Sequence, residues 1–411
     1  MRDAQVIVVG GGPAGSSTAY FLASQGLDVL VIDRARFPRD KVCAEYLSPE
    51  CSRILDRMDA LSAAESTGAA HLAGMRVRAP NGAVIHGEFA ARHGFNGFRD
   101  RGLAVRRTLL DAILLERARA AGARILEETR VTGVATAGKR VTGIAVSRSD
   151  GTSSLSADLV VGADGLRSVV ARRLGLHASS RWPRRIALVS HYTGVADIGA
   201  YGEMFVDCDG YFGLADVGNG VTNVAVVVPI TRAADIAADR TDFMDQWIAE
   251  RPHLATRFTK AARIEPVRAT GPFASFSKRA WARGAALVGD AADFFDPFTG
   301  EGIYAALRGG EILSESVGTA VKNGSPHALD AALARYDHAR RSEFGGKWKV
   351  ERLIGSVIAA PRMFNRIALT LQRHRDMADL LVGVAGDFVP AREILRPRYM
   401  MNLLLAATFN R

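Results

Sequence analysis

Cysteine is scarce: Cys43, Cys51 and Cys208 are the three in 411 residues, and they form neither an even set nor a Cys-x-x-Cys pair. A disulfide framework or a thiolate zinc site is therefore not expected, and a reducing, cytoplasmic setting is the default. No apolar run approaches the ~20 residues that cross a bilayer. The short apolar stretch at residues 6–9 runs directly into Gly10-Gly11-Gly12, which is not how a signal peptide is built. None of the nine histidines stands at metal-ligand spacing from a carboxylate or cysteine, so no metal is expected. Internal repeats and low-complexity linkers are also missing.

What is present fits a folded globular chain. Hydrophobic residues make up 48% and charged residues 23%, enough to bury a sizeable core in two or three domains of ordinary size. The net charge of +10 is unevenly spread: residues 331–411 hold 14 Lys/Arg against 7 Asp/Glu. Without interleaved aromatics or a nucleic-acid motif, no nucleic-acid partner is expected. Two readings of this basic end stay open, a solvated helical face and a peripheral contact with the inner face of a membrane. The apolar stretch 399–407, flanked by Arg392, Arg396, Arg398 and Arg411, suits an interfacial helix or a cap on the nucleotide domain.

Strand and helix patterns alternate at first, give way to a strand-rich stretch, then return. Residues 6–9 and 29–32 read as buried parallel strands. Between them, residues 13–25 read as a helix with Pro13 in its first turn and Gly26 as its cap. Residues 107–121 form a second helix, and most of 178–281 reads as strands around one helix near 241–250. The expected organisation is a discontinuous nucleotide domain at 1–72, 97–177 and 282–330. A substrate domain at 73–96 and 178–281 is inserted into it, and a helical region follows at 331–411. The fold class is α/β, a Rossmann-type domain carrying an antiparallel sheet domain and C-terminal helices.

Gly10-x-Gly12-x-x-Gly15 follows the first strand and opens the first helix. The first glycine permits the turn, the second lets backbone approach a diphosphate, and the third packs helix on strand. The diphosphate then meets the free N–H groups of the helix N-terminus. Asp33 ends the second strand, placed to accept from a ribose hydroxyl. Further along, Asp290 ends a strand in Gly289-Asp290-Ala291-Ala292. The segment Asp296-Pro297-Phe298-Thr299-Gly300-Glu301-Gly302 then opens a long helix. A carboxylate there can hold a ribityl chain, and the helix N-terminus can stabilise negative charge on a reduced flavin. Gly162-Ala163-Asp164-Gly165 fits the same architecture.

This set resembles the p-hydroxybenzoate hydroxylase-type flavoproteins, and most closely their geranylgeranyl reductase-like branch. The resemblance spans nearly the whole chain. It rests on the glycine motif, the stretch Phe37-Pro38-Arg39-Asp40-Lys41-Val42-Cys43-Ala44-Glu45-Tyr46-Leu47-Ser48-Pro49, Arg107-x-x-Leu110-Asp111, and the two later motifs. It implies FAD as cofactor, with contacts from Gly10, Gly12, Pro13, Ala14, Gly15, Asp33, Arg34, Cys43, Ala44, Arg107, Val131, Asp290, Pro297, Gly300, Gly302 and Ile303. It also implies a β-sheet that closes over the flavin ring. Two departures stand out. Ala44 replaces the branch's usual glycine after the motif cysteine. Gly210-Tyr211-Phe212-Gly213-Leu214-Ala215 stands where the branch often has a Tyr-x-Trp-x-Phe-Pro-like stretch. The halogenases of this fold resemble it too, but their Trp-x-Trp-x-Ile-Pro motif and a matching lysine are missing.

Cys43, Glu45 and Tyr211 are the candidate proton donors or hydrogen-bonding groups. Cys43 can equally be an ordinary buried thiol, and His191 either faces the pocket or is a satisfied structural residue. Cys51 and Cys208 are expected to serve packing. With no second Gly-x-Gly-x-x-Gly, NAD(P)H is expected to visit transiently as electron donor, or a partner supplies the electrons. The leading expectation is an NAD(P)H-driven flavin monooxygenase hydroxylating a small hydrophobic aromatic or polyketide-like substrate. The alternatives are an ene-reductase of prenyl or lipid chains and an electron-transfer flavoprotein with a membrane partner.

Overall fold

The computed structural model describes residues 2–91, 93–180 and 184–405. Its nucleotide-domain sheet runs Trp281–Ala282, Ala285–Leu287, Gly151–Gly162, Ala4–Val9, Val29–Ile32 and Arg124–Leu126 in spatial order. All neighbours are parallel except the edge strand Trp281–Ala282. Ala4–Val9 lies at the centre, and Val6, Ile7 and Val8 are wholly buried, as continuous apolar strands between two helical layers must be. Gly151–Gly162 serves twice: its end pairs with Ala4–Val9, while its start pairs antiparallel with Arg140–Arg148.

The helix Pro13–Ala23 begins at its proline, whose missing N–H costs nothing at that position. It packs against Gly302–Lys322 and Arg107–Ala120. The closeness depends on glycine: a Cβ on Gly310 would come within 2.2 Å of Ser17 Oγ.

A second sheet runs Ala262–Arg263, Arg185–Thr193, Val221–Pro229, Gly210–Asp216, Tyr201–Asp207, Gly74–Arg78 and Val84–Glu88, with Arg268–Thr270 also paired to Arg185–Thr193. It is antiparallel at every pair but one, Tyr201–Asp207 with Gly74–Arg78, which run parallel. Strand alternation splits its residues between two faces. Leu188, Phe212, Val224, Val226 and Val228 bury against Phe243, Met244 and Trp247 of the helix Arg240–Ala249. Ala187, Val206, Tyr211 and Val227 face the other way, toward Val357, Ile358, Phe364 and Phe273.

The helical end differs from its expected boundary. Residue 331 falls inside one helix, Pro326–Ile358, which packs on Gly302–Lys322. Pro361–Arg373 and Arg375–Ala385 then lie on Val84–Glu88, where Gly87 leaves room that a Cβ would close to 2.5 Å from Val382 Cγ2. Near the end of the strand-rich stretch the chain forms two short strands, Ala262–Arg263 and Arg268–Thr270. Residues 406 and 407 of the apolar C-terminal stretch, and the flanking Arg411, lie outside the described residues, and no described helix is long and apolar enough to cross a membrane.

Candidate active site

A cavity of ≈580 Å³ runs between the two sheets, within the ordinary range for small-molecule sites. One end is lined by Asp33, Arg34, Arg130 and Val131, and the middle by Gly10, Gly12, Pro13 and Ala14. Asp290, Pro297, Gly300, Gly302 and Ile303 line the far part, where Cys43, Ala44, Glu45 and Arg107 also converge. Of the sixteen residues that the resemblance places on FAD, fifteen thus line one cavity. Gly15 does not line it. Its place is in the βα turn, where a Cβ would sit 1.7 Å from Gly10 O.

Each part of this wall has a local cause. Gly10 holds φ +104°, and a side chain there would meet Ala163 O at 2.5 Å. Asp33 accepts from Gly11 N at 2.8 Å and Ala35 N at 2.9 Å, which aims its carboxylate across the glycine turn. Arg107 makes two parallel hydrogen bonds to the wholly buried Asp111, at 2.7 and 2.8 Å, and Arg39 joins from 3.2 Å. Gly300, at φ +73°, turns the chain into the long helix, with Tyr46 Cδ1 2.6 Å from where its Cβ would stand.

The residues fit FAD. The glycine turn and helix Pro13–Ala23 would hold the diphosphate, and Asp33 the adenosine ribose. Asp290 would hold the ribityl hydroxyls, and the start of Gly302–Lys322 would face the ring's electron-rich edge. Asp164 and Tyr46 both line the cavity and each keeps a buried polar atom, Oδ1 and Oη, with no partner among the described residues. Buried orphans of this kind call for a polar ligand. Burial raises the Asp290 pKa, against the pull of Lys41 and Arg107. Burial lowers that of Lys41, against the pull of Asp290. In each group burial opposes the charge that the other favours. Arg39 and Lys41 went unassigned in the sequence because a cation in a loop motif is ordinarily solvated.

Over the far end lies the second sheet. Ala187, Val189, Ala225 and Val227 line the cavity, with Phe273 and Phe294 beside them. They form two in-register pairs, Ala187↔Val227 and Val189↔Ala225, so this roof is a patch of small apolar side chains.

The candidate donors separate. Cys43 lines the cavity and its Sγ accepts from Glu45 N at 3.3 Å. Glu45 also lines it, at 2% exposure, in a left-handed backbone conformation (φ 62°) that non-glycine residues seldom adopt. Its Oε1 accepts from Arg107 N at 2.7 Å, and its Oε2 lies 2.7 Å from His191 Nε2 and 3.1 Å from Asn223 Nδ2. Tyr211 departs from expectation. It does not line the cavity, and its hydroxyl donates to Asp296 Oδ1 at 2.7 Å, while Arg185 binds the other oxygen, Oδ2, at 2.5 Å. Asp296 in turn caps Pro297–Thr299 through Phe298 N, so Tyr211 braces that loop from the second sheet. Cys51 is buried as expected of packing, but Cys208 is exposed in the turn between Tyr201–Asp207 and Gly210–Asp216. His191 and Asn223 stand behind Glu45, off the cavity wall, and Glu265 binds the far side of His191. The readable signal was a histidine and an asparagine in otherwise apolar strands.

The family model of the FAD binding domain matches residues 3–345. A digeranylgeranylglycerophospholipid reductase of Methanosarcina acetivorans is 30% identical over 332 residues, covering 79% of this chain and 77% of that one. Among solved structures, a flavoprotein/dehydrogenase from Cytophaga hutchinsonii superposes with a TM-score of 0.82 at 20% identity, covering 98% of both chains. A geranylgeranyl bacteriochlorophyll reductase-like protein from Thermoplasma acidophilum gives 0.71 at 22% identity, covering 98% of this chain and 95% of that one. At these identities the structures show a shared fold.

Proposed function

Because this chain belongs to the FAD-binding domain family, as an FAD-dependent oxidoreductase of its geranylgeranyl reductase-like branch, we propose that it saturates carbon–carbon double bonds in prenyl or other lipid chains. The observation that carries this reading is the reductase relative, 30% identical across 79% of the chain. It reverses the order given by the sequence, where the missing aromatic stretch put oxygenation first. That stretch maps to Gly210–Asp216, whose Tyr211 braces a loop, so its departure bears less on the reaction than expected.

The site suits the reading. Bound and reduced, FAD supplies a hydride. The apolar roof of Ala187, Val189, Ala225 and Val227 excludes water and offers hydrocarbon a surface without a competing hydrogen-bond partner. Cys43 and Glu45 are among the ionisable groups on the wall of the same cavity. Electrons would come from NAD(P)H visiting transiently, since the chain has one dinucleotide motif and the cavity's nucleotide end suits FAD.

The test is anaerobic. Holoenzyme reduced without oxygen is mixed with a digeranylgeranylglycerophospholipid in detergent. Reoxidation of the flavin, with two hydrogens gained per double bond by mass spectrometry, supports reduction. No anaerobic reoxidation, together with oxygen-dependent hydroxylation of an aromatic probe, would restore the monooxygenase.

A further inference from the structure

One chain of hydrogen bonds leads away from the cavity wall. Glu45 Oε2 lies 2.7 Å from His191 Nε2, and the other ring nitrogen, Nδ1, lies 2.8 Å from Glu265 Oε2. Both nitrogens therefore face carboxylates, which a ring protonated on both sides satisfies best. His191 is 5% exposed, and Glu45 2%. Glu265 is partly exposed and is also paired with Arg106. Asn223 Nδ2 donates to Glu45 Oε2 and to Cys43 O at 2.9 Å, fixing the carboxylate relative to the cavity. Nothing in packing requires a buried imidazole between two acids. Two ionisable groups at this depth, Glu45 and His191, cost desolvation energy that apolar side chains would avoid.

We propose that these residues form a proton-holding triad for the cavity: His191 stores the proton, Glu45 delivers it to the substrate, and Glu265 orients the imidazole. The proposal deepens the reduction reading and rests on it. The alkene receives a hydride on one carbon from the reduced cofactor, which is oxidised. Glu45 takes the Nε2 proton of His191 and passes it to the neighbouring carbon, where the π pair forms the C–H bond. That leaves a Glu45 carboxylate and a neutral imidazole whose Nδ1–H still donates to Glu265 Oε2. Solvent restores the lost proton once product has left.

The electrostatics agree with the geometry. Burial pushes the His191 pKa down, but the hydrogen bond to Glu45 and the charges of Glu45 and Glu265 outweigh burial and the repulsion of Arg106, and the result lies above the usual value. Burial works against the Glu265 charge, yet His191 and Arg106 hold its pKa below the usual carboxylate range. Glu45 keeps its left-handed backbone at an energetic cost, as strained residues at reacting sites commonly do.

Two measurements decide. In substrate-free holoenzyme labelled with ¹³C-histidine, the His191 signal, assigned by its loss in His191→Gln, should titrate above ~6.5. A titration at or below that value overturns the triad whatever the substrate. In the anaerobic single-turnover assay with a digeranylgeranylglycerophospholipid, Glu45→Gln and His191→Gln should bind flavin normally by visible spectrum. Saturation should slow ~100-fold or more. Glu265→Gln should keep part of the rate while its pH limb moves to lower pH. Wild-type rates and pH profiles in all three overturn the triad and leave the reduction reading standing. If the wild-type enzyme leaves the lipid unsaturated, the reduction reading falls and the triad falls with it.

Discussion

His191 and Asn223 stand directly opposite each other on paired strands, ending two rows whose other members, Ala187 with Val227 and Val189 with Ala225, roof the cavity. Strand alternation puts all six on one sheet face. Under the proposed reduction, a hydrocarbon chain would lie against these apolar side chains, with Glu45 as the acid on the same wall.

The roof makes its own prediction. Ala225→Phe places a ring into the cavity from a strand whose opposite face keeps its packing. The fold should survive, since the added bulk enters open space and not a filled core. Turnover of a prenyl lipid should fall at least ~10-fold, mainly through KM, while flavin affinity stays within about twofold. An unchanged KM would show that substrate does not lie under this sheet.

Asp290 anchors the cofactor prediction. Asp290→Ala removes charge-assisted hydrogen bonds worth ~1.5–3 kcal/mol each. FAD should then dissociate about 10–150-fold more readily, as followed by flavin fluorescence on dilution. Unchanged affinity would remove Asp290 from the ribityl site.

The nucleotide domain was legible because its chemistry is local. Gly10, Gly12, Gly15 and Asp33 lie within one βα unit, and their spacing alone implies a turn, a helix start and a ribose acceptor. The polar end was legible only in part: Glu45 and His191 stand out as candidates, but their pairing is assembled at long range. They are 146 positions apart, and Glu265 joins from the segment between Ala262–Arg263 and Arg268–Thr270. Tyr211 shows the converse. Its place in a motif comparison suggested chemistry, but its sheet register turned it toward Asp296 and the C-terminal helices. Which face a residue takes depends on strand register, and register is set by partners remote in sequence.

His191 also gives stability a pH dependence with a definite sign. Its folded pKa is raised, against burial, by Glu45 and Glu265. The stabilisation is therefore full below the unfolded value of ~6.5 and is lost as pH rises through the folded one. Urea unfolding of wild type and His191→Gln should show a stability gap that narrows as pH rises through that window. A gap independent of pH would mean that the ring is neutral throughout.

Tyr211→Phe separates bracing from catalysis. The variant loses one hydrogen bond to a carboxylate, ~1.5–3 kcal/mol, while Arg185 and Phe298 N still hold Asp296. Urea stability should fall by about that amount, and turnover by less than ~10-fold, well short of the 10²–10⁴ expected for a lost proton donor. A drop of that larger size with normal stability would return Tyr211 to the reacting groups.

The basic C-terminal region leads to the last prediction, that this end of the molecule rests on an anionic membrane surface. The expected apolar stretch carries little of it: Leu403 is buried, and Tyr399 turns inward to donate to Met377 O at 2.9 Å. The helix Pro361–Arg373 offers more. Phe364, Ala368 and Leu371 bury its inner face, while Arg362, Met363, Arg366 and Leu369 are exposed on the outside. Arginines interleaved with exposed apolar side chains suit phosphate headgroups above shallow acyl chains. Each arginine near such a surface contributes ~1 kcal/mol, so Arg362→Glu with Arg366→Glu should abolish binding to vesicles containing phosphatidylserine. Flotation of wild type should weaken steeply with added salt, since surface attraction is screened within a Debye length of ~10 Å at 0.1 M. The same double variant should keep its flavin and its rate on detergent-dispersed lipid, because neither residue lines the cavity. Salt-insensitive flotation, or flotation equal in wild type and variant, would leave this helix a solvated face.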